Sequence, residues 1–198
     1  MLEKLIGQKT VCPWWLCFTF DNPLRKLFHN PEAILIPYVR SGDSVIDLGS
    51  GMGYFSIALA NLVGPAGHVT AIDIQMPMLS ALMKRAKRNA VSERITTYLA
   101  SPDTLGHHSA ADFILAFWML HEVSDQRRFL TEIHQSLKPN GLFLLVEPIM
   151  HVTKGDFLRA LATAQDIGFS LKESPKIRIS RSVVLVRNNE MRDVPQQG

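Results

Sequence analysis

Residues 45–53, Val-Ile-Asp-Leu-Gly-Ser-Gly-Met-Gly, constrain the fold of this chain more than any other stretch. The first four read as a buried strand, and three glycines at alternate positions allow a sharp turn and a close approach of ligand to main chain. A helix is predicted to begin directly afterwards, at Tyr54. The spacing D-x-G-x-G-x-G disfavours a nicotinamide dinucleotide site, because G-x-G-x-x-G would need a glycine at position 54. The absence of a following Gly-Lys-Ser/Thr disfavours a Walker loop.

Asp47, at the end of this predicted strand, indicates the charge of the ligand. A carboxylate there repels a pyrophosphate and attracts an ammonium group, so a cationic cofactor is expected. The acid and the glycines resemble motif I of the class I S-adenosylmethionine (SAM) methyltransferases, whose loop holds the amino acid part of SAM. The alternative is a structural strand, turn and helix whose glycines fall at this spacing by chance. Motifs further along the chain decide between the two.

A second acid ends the next predicted strand, residues 68–73. Asp73 lies 20 positions after Gly53. In doubly wound nucleotide folds, a carboxylate at the end of the second strand accepts hydrogen bonds from both ribose hydroxyls. Alone, an acid at a strand end is as often a helix cap. Together with Asp47 and the three glycines, Asp73 favours an adenosine site.

The resemblance to the methyltransferases implies a complete set of cofactor-binding residues. In that family the loop after strand three borders the adenine and carries an acid, which here is Asp103 rather than a residue near position 100. SAM is therefore the expected cofactor and S-adenosylhomocysteine (SAH) the expected product. The implied SAM-binding residues are Asp47, Gly49, Ser50, Gly51, Gly53, Asp73, Ile74, Ser101, Asp103 and Phe117.

Two later segments resemble small-molecule methyltransferases related to the ubiquinone and menaquinone enzymes. They are residues 120–123, Leu-His-Glu-Val, and residues 137–141, Leu-Lys-Pro-Asn-Gly, which correspond to motif IV and the region after it. The second segment departs from the pattern at Asn140, where glycine is usual. Residues 138–141 are predicted to form a turn that leads into strand five at residues 142–146.

His121 is the candidate catalytic residue. Just after the carboxyl end of strand four, it would act as a general base if the acceptor is a hydroxyl. Its alternative role is to start or orient a helix. His151 is a weaker candidate. Glu147, at the end of strand five, is expected to bind a polar acceptor or to cap the next loop. Three further side chains would line an apolar acceptor pocket or pack in the core: Trp118, Met119 and Met150. Core packing is favoured for Met119.

The order of predicted elements gives the fold class. Strands and helices alternate and a strand pair follows, which predicts a Rossmann-like, doubly wound α/β fold. Its sheet should be mostly parallel and seven-stranded, with a C-terminal antiparallel strand pair. Ligands bind at the carboxyl ends of such strands, where both acids and His121 are predicted to lie. We expect an N-terminal cap or lid in residues 1–40, the methyltransferase domain in residues 41–187 and a loose tail in residues 188–198.

Composition excludes several other classes. The 198 residues are 46% hydrophobic with a net charge of +3, as expected for one domain with a sizeable core. The basic cluster at residues 84–88 is interpreted as a solvated helix face, so a nucleic-acid partner is not expected. The sequence has no apolar run of about eighteen residues and no signal-peptide core. Two cysteines, Cys12 and Cys17, form neither a disulfide framework nor a zinc motif. A cytoplasmic protein without a membrane span or a metal site is expected.

The predicted function is SAM-dependent methyl transfer to a small organic acceptor. One alternative is a SAM-binding module without transfer activity. Another is an RNA methyltransferase, suggested only by the basic isoelectric point. The chain lacks the Asn/Asp-Pro-Pro-aromatic motif used for exocyclic amines.

Residues 12–20 are unusually apolar for a position near a chain end, with four aromatics and two cysteines. We predict that they cover the cofactor and acceptor, and the alternative is packing on the outside of the domain or on a second subunit. Removal of residues 1–20 should leave a folded protein that binds SAM but transfers little or no methyl group. Titration with SAH and a transfer assay on the truncated protein check this, and full activity would refute the cover.

Overall fold

The computed structural model describes residues 29–101, 104–106 and 110–188. Within these residues, seven strands form a single sheet. The strands are β1 (Ser44–Leu48), β2 (His68–Asp73), β3 (Ile95–Leu99), β4 (Ala111–Phe117), β5 (Leu137–Pro148), β6 (Phe169–Glu173) and β7 (Ser180–Arg187). The helices are α1 (Pro31–Leu35), α2 (Tyr54–Val63), α3 (Met76–Arg88), α4 (Gln126–Ser136) and α5 (Lys154–Ile167), with short 3-10 turns at Ser92–Arg94 and Leu120–Glu122.

The strand order is β3-β2-β1-β4-β5-β7-β6. The first five strands of the chain pair in parallel, whereas β7 runs antiparallel to both β5 and β6. This is the predicted doubly wound, mostly parallel sheet with an antiparallel C-terminal pair, and the predicted fold class is confirmed. The chain reverses its direction of winding between β1 and β4, so a crevice opens at the carboxyl ends of these two neighbouring strands.

Two hydrophobic cores lie on opposite faces of the sheet. In β4, Phe113 and Leu115 pack in the core that α1, α2 and α3 cover, while Ile114 and Ala116 pack in the core that α4 and α5 cover. All four side chains are fully buried. A strand covered on both faces has no solvent-facing positions, which explains why this segment is apolar throughout rather than alternating.

Most predicted boundaries agree with the structure. Strand β2 has the predicted bounds, and α2 begins at Tyr54 as expected. Asn30 caps α1, because its side chain accepts a hydrogen bond from the Ala33 N–H. Helix α5 begins at Lys154, where Thr153 and Asp156 form a capping box.

The predicted turn at residues 138–141 is wrong, because these residues belong to β5. Ala111 of β4 pairs with Leu137 of β5, and Phe113 pairs with Leu142. An advance of two residues along β4 is therefore matched by an advance of five residues along β5. The extra residues form a bulge. Asn140 lies there at φ +63°, a conformation that favours glycine. The local turn chemistry is therefore real, but it is accommodated inside a longer strand.

Two predicted segments lie outside the described residues. They are the apolar residues 12–20 and the tail beyond residue 188. None of the described helices is long and apolar enough to span a membrane.

The bulge gives a test of the fold. A Cβ added at Gly141 would lie 2.8 Å from the Lys138 carbonyl oxygen and 3.1 Å from that of Ala111, and neither backbone atom can move without disturbing the β4–β5 pairing. Gly141→Ala should therefore lower the free energy of unfolding by about 1–3 kcal/mol. Asn140→Gly is the matched control and should leave stability unchanged or raise it by up to about 1 kcal/mol, because glycine tolerates the positive φ. Urea denaturation of both variants measures this, and equal stabilities would contradict it.

Candidate functional site

The carboxyl ends of four adjacent strands carry the predicted site. Asp47 lies in β1, Asp73 ends β2, Phe117 ends β4 and Glu147 lies near the end of β5. Asp47, Asp73 and Glu147 are buried. Acids are rarely buried without hydrogen-bond partners. The partners of each acid therefore define what the site can do.

The glycine loop after β1 is held by main-chain hydrogen bonds. The Ser50 N–H donates to the Ile72 carbonyl at 3.0 Å, and the Gly51 N–H donates to Oδ2 of Asp73 at 2.9 Å. The three glycines all have positive φ, but their surroundings differ. A Cβ at Gly49 would lie 2.9 Å from Cβ of Met119, and one at Gly53 would lie 2.7 Å from Cγ of Leu82. Beyond Gly51 there is open space, so this is the glycine at which a ligand can approach in the Cβ direction.

Asp73 joins two loops. Its Oδ1 accepts from the Gln75 N–H and its Oδ2 from the Gly51 N–H, both at 2.9 Å. Burial raises the pKa of the Asp73 carboxyl above its ordinary value, and N–H donors from Gln75, Gly51 and Ile74 offset part of the rise. A carboxylate has about four acceptor positions, so these N–H donors leave room for a hydroxyl donor of a ligand.

Two other polar side chains lie beside the glycine loop. Asp47 is buried, and its Oδ2 accepts a hydrogen bond from the Ser56 hydroxyl of α2 at 2.5 Å. Ser50 is 7% exposed, and within the described residues its hydroxyl has no hydrogen-bond partner. An unpaired buried hydroxyl is unfavourable, which indicates that a ligand group pairs with it.

The second half of the site is a carboxylate–imidazole pair. Nδ1 of His121 lies 2.5 Å from Oε2 of Glu147, and the Leu120 N–H donates to the other carboxylate oxygen at 2.9 Å. Glu147 is 3% exposed, so it is a fixed element of the structure. The ring of His151 lies parallel to that of His121, with centroids 6.0 Å apart. His121, His151 and Glu147 therefore lie together at the carboxyl ends of β4 and β5.

An aromatic cluster surrounds the end of β4. The ring of His29 packs edge-on against Phe117 and Trp118, with centroid distances of 5.1 and 4.9 Å. Phe117 is buried and also packs against Phe55 at 4.3 Å. Trp118 adopts φ +61°, and its indole N–H donates to the Ser180 hydroxyl at 3.0 Å. A bulky residue at positive φ is strained, and such strain is concentrated at functional sites.

Comparison with known proteins decides the family. A family model described as "Methyltransferase domain" matches residues 39–177, more than half of the chain. The chain belongs to this methyltransferase family. The predicted resemblance to class I SAM-dependent methyltransferases is thereby confirmed, and with it SAM as the cofactor.

Individual relatives agree with this methyltransferase assignment. The chain is 29% identical over 117 residues to a demethylmenaquinone methyltransferase of Symbiobacterium thermophilum, a match that covers 59% of the chain and 47% of the relative. The chain thus spans about half the length of that relative. Among solved structures, a SAM dependent methyltransferase from Aquifex aeolicus has a TM-score of 0.79 at 20% identity, covering 89% of this chain and 99% of the other. A putative rRNA-methylase from Clostridium thermocellum has a TM-score of 0.66 at 18% identity, covering 82% and 96%. At these identities the two structures show the shared fold.

The residues of this methyltransferase fit SAM. Open space beyond Gly51, the buried hydroxyl of Ser50 and the remaining acceptor positions of Asp73 all lie around the same loop. These groups suit a ligand with a charged amino acid part and a ribose. Predicted residue Asp103 lies outside the described residues, and Ser101 forms an isolated bridge with Thr104 in the adjoining loop.

Three residues that the sequence reading did not identify contribute to the site. Glu132 of α4 accepts hydrogen bonds from the Thr104 hydroxyl and the Leu105 N–H, and so anchors the loop after β3. Its spacing of four from Arg128 suggested only a surface ion pair. Ser56 binds Asp47, and the available signal was a serine in an otherwise apolar helix, nine positions after a buried acid. His29 had no recognisable signal.

Asp73 gives a direct test of the cofactor half. Asp73→Asn removes the charge and one acceptor, so SAH affinity should fall at least about tenfold. The wild-type affinity should also weaken as the pH falls through the raised pKa of Asp73, because protonation removes acceptor capacity that a ligand hydroxyl uses. This loss should occur at a higher pH than for an ordinary aspartate, and Asp73→Asn should flatten it. Isothermal titration with SAH across pH measures both effects, and unchanged affinity in the variant would refute the ribose role.

Proposed function

We propose that this protein transfers the methyl group of SAM to a small organic acceptor, with His121 as the general base. The observation that carries the proposal is the His121–Glu147 pair, which lies at the same sheet edge as the glycine loop. The glycine loop with Asp47 and Asp73 would by itself support only the binding of SAM. The imidazole pair adds a group that can accept a proton from an acceptor.

The proposed cofactor contacts follow the strand ends. Asp47, the Ser50 hydroxyl and the main chain at Gly51 face the methionine part of SAM, and Asp73 accepts from the ribose. The remaining predicted residues that the structure describes have supporting roles: Gly49 and Gly53 shape the loop, Ile74 and Ser101 border the adenine, and Phe117 closes the aromatic side.

The chain's own residues then perform three tasks. When bound, SAM supplies an activated methyl group, because its positively charged sulfur leaves as a neutral thioether. Glu147 accepts a hydrogen bond from the Nδ1–H of His121, which fixes the neutral tautomer with its lone pair on Nε2. Nε2 takes the acceptor's proton as the acceptor oxygen bonds to the methyl carbon, and alignment of the two reactants supplies most of the rate.

Two alternative functions have less support. A SAM-binding module without transfer activity would not need a buried carboxylate held against a histidine. An RNA methyltransferase would be expected to use the basic cluster of α3, but Arg85, Lys87 and Arg88 lie in the last turn of that helix, where cations are favoured by the helix dipole. Because one relative is a demethylmenaquinone methyltransferase, aromatic hydroxyl compounds of the quinol type are the first acceptors to examine.

The proposal predicts separate effects on chemistry and binding. With labelled SAM and a metabolite extract as acceptor source, His121→Gln should lower the transfer rate about 10²-fold or more while SAM affinity stays constant. Glu147→Gln should also lower the rate, because the neutral amide no longer stabilises the protonated imidazole, and it should move the pH–rate profile.

His151→Gln is the matched control, since it removes the neighbouring ring without touching Glu147, and it should retain the wild-type rate. Loss of SAM affinity in His121→Gln together with a folding defect would instead assign this histidine a structural role. An absence of transfer to any compound in the extract by the wild-type protein would favour the binding module.

A further inference from the structure

Two loops beside the His121–Glu147 pair form one surface. One loop follows β5 and is taken here as residues 149–154, including the first residue of α5; the other leads into β7 and is taken as residues 174–181, including the first two residues of that strand. They are joined by the Ile149 N–H, which donates to the Ile179 carbonyl at 3.1 Å. The Arg181 guanidinium donates to the Val152 carbonyl at 2.8 Å. These bonds hold the loops in register, and we call them together the two-loop surface.

The two-loop surface exposes apolar side chains. Met150 is 83% exposed, and Ile149 and Ile179 are exposed as well. Ile179 has φ +50°, which is strained for a β-branched residue. An apolar side chain as exposed as that of Met150 is available to a partner outside the chain.

The same loops are strongly basic. They carry four cations and no Asp or Glu: Lys154, Lys176, Arg178 and Arg181. Of the acids next to the loops in sequence, Glu147 is buried against His121, and Asp156 is bonded to Thr153 and Arg159. Glu173, which precedes residue 174, is exposed and is bonded to the Tyr38 side chain. The surface therefore combines exposed apolar side chains with four cations and one neighbouring exposed acid.

We propose that the two-loop surface docks the protein on an anionic lipid bilayer, with Met150, Ile149 and Ile179 inserted at the interface. Apolar side chains flanked by lysine and arginine are the combination that binds anionic membranes, since the chains enter the acyl boundary while the cations meet the headgroups. Single-stranded RNA is the competing polyanion, but it binds through platforms of aromatic side chains, and the exposed apolar side chains here, Ile149, Met150 and Ile179, carry no ring. Docking would place the acceptor side of the site against the bilayer.

Co-sedimentation of the full chain with vesicles tests the proposal. The protein should bind phosphatidylcholine vesicles that contain phosphatidylglycerol at least about tenfold more tightly than pure phosphatidylcholine vesicles, and added salt should weaken the binding. Met150→Glu and Ile179→Glu should each weaken it about tenfold or more. Ile36→Glu is the matched control, because Ile36 is 61% exposed and lies outside both loops, and its binding should equal that of the wild type.

SAH titration establishes that each variant is folded, so a loss of vesicle binding is not a loss of structure. Absence of binding to the anionic vesicles by the wild type would overturn the proposal, as would equal weakening by Ile36→Glu. Tight binding of single-stranded RNA that displaces the vesicles and is lost in Met150→Glu would assign the surface to nucleic acid instead. These outcomes do not depend on methyl transfer, so they are independent of the proposed function.

Discussion

Two buried carboxylates fix the loops on both sides of the site. Asp73 ends β2 and accepts the Gly51 N–H of the loop after β1. Glu147 lies near the end of β5 and accepts the Leu120 N–H of the loop after β4. A carboxylate removed from water is stable only when donors surround it, so each loop must adopt a conformation that supplies those donors. In both cases the acid at the end of one strand orders the loop that follows the neighbouring strand.

The cofactor half of the site could be predicted from the sequence because its signals are local. The strand, the glycines and Asp47 lie within nine consecutive positions, residues 45–53, and Asp73 ends the next strand at the interval that this fold sets. The environment of each glycine could not be predicted in the same way. Gly49 and Gly53 make room for Met119 and Leu82, which approach from elsewhere in the chain, and only Gly51 faces open space.

The acceptor half could be predicted only as separate residues. His121 and Glu147 are 26 positions apart, and their contact depends on the register between β4 and β5. That register contains the bulge at residues 138–141, which a local reading takes for a turn. Glu132 was missed for a similar reason, because its partners Thr104 and Leu105 come from a loop that sequence spacing does not connect to α4.

Within the part of the chain that the structure describes, the Ser50 hydroxyl has no hydrogen-bond partner, and this affects the stability of the folded protein before a ligand binds. Because the folded-state pKa of Asp73 is raised, its favourable contribution to stability is present below the ordinary aspartate pKa and is lost as the pH rises through the raised value. At neutral pH, burial of the Asp73 carboxylate and of the Ser50 hydroxyl therefore destabilises the folded chain until a ligand pairs with both groups. A ligand that binds only the folded state stabilises it by mass action, and the unfolded fraction is what proteases degrade. The abundance of this protein should therefore follow the supply of SAM, so that methyl starvation shortens its half-life without any dedicated regulator.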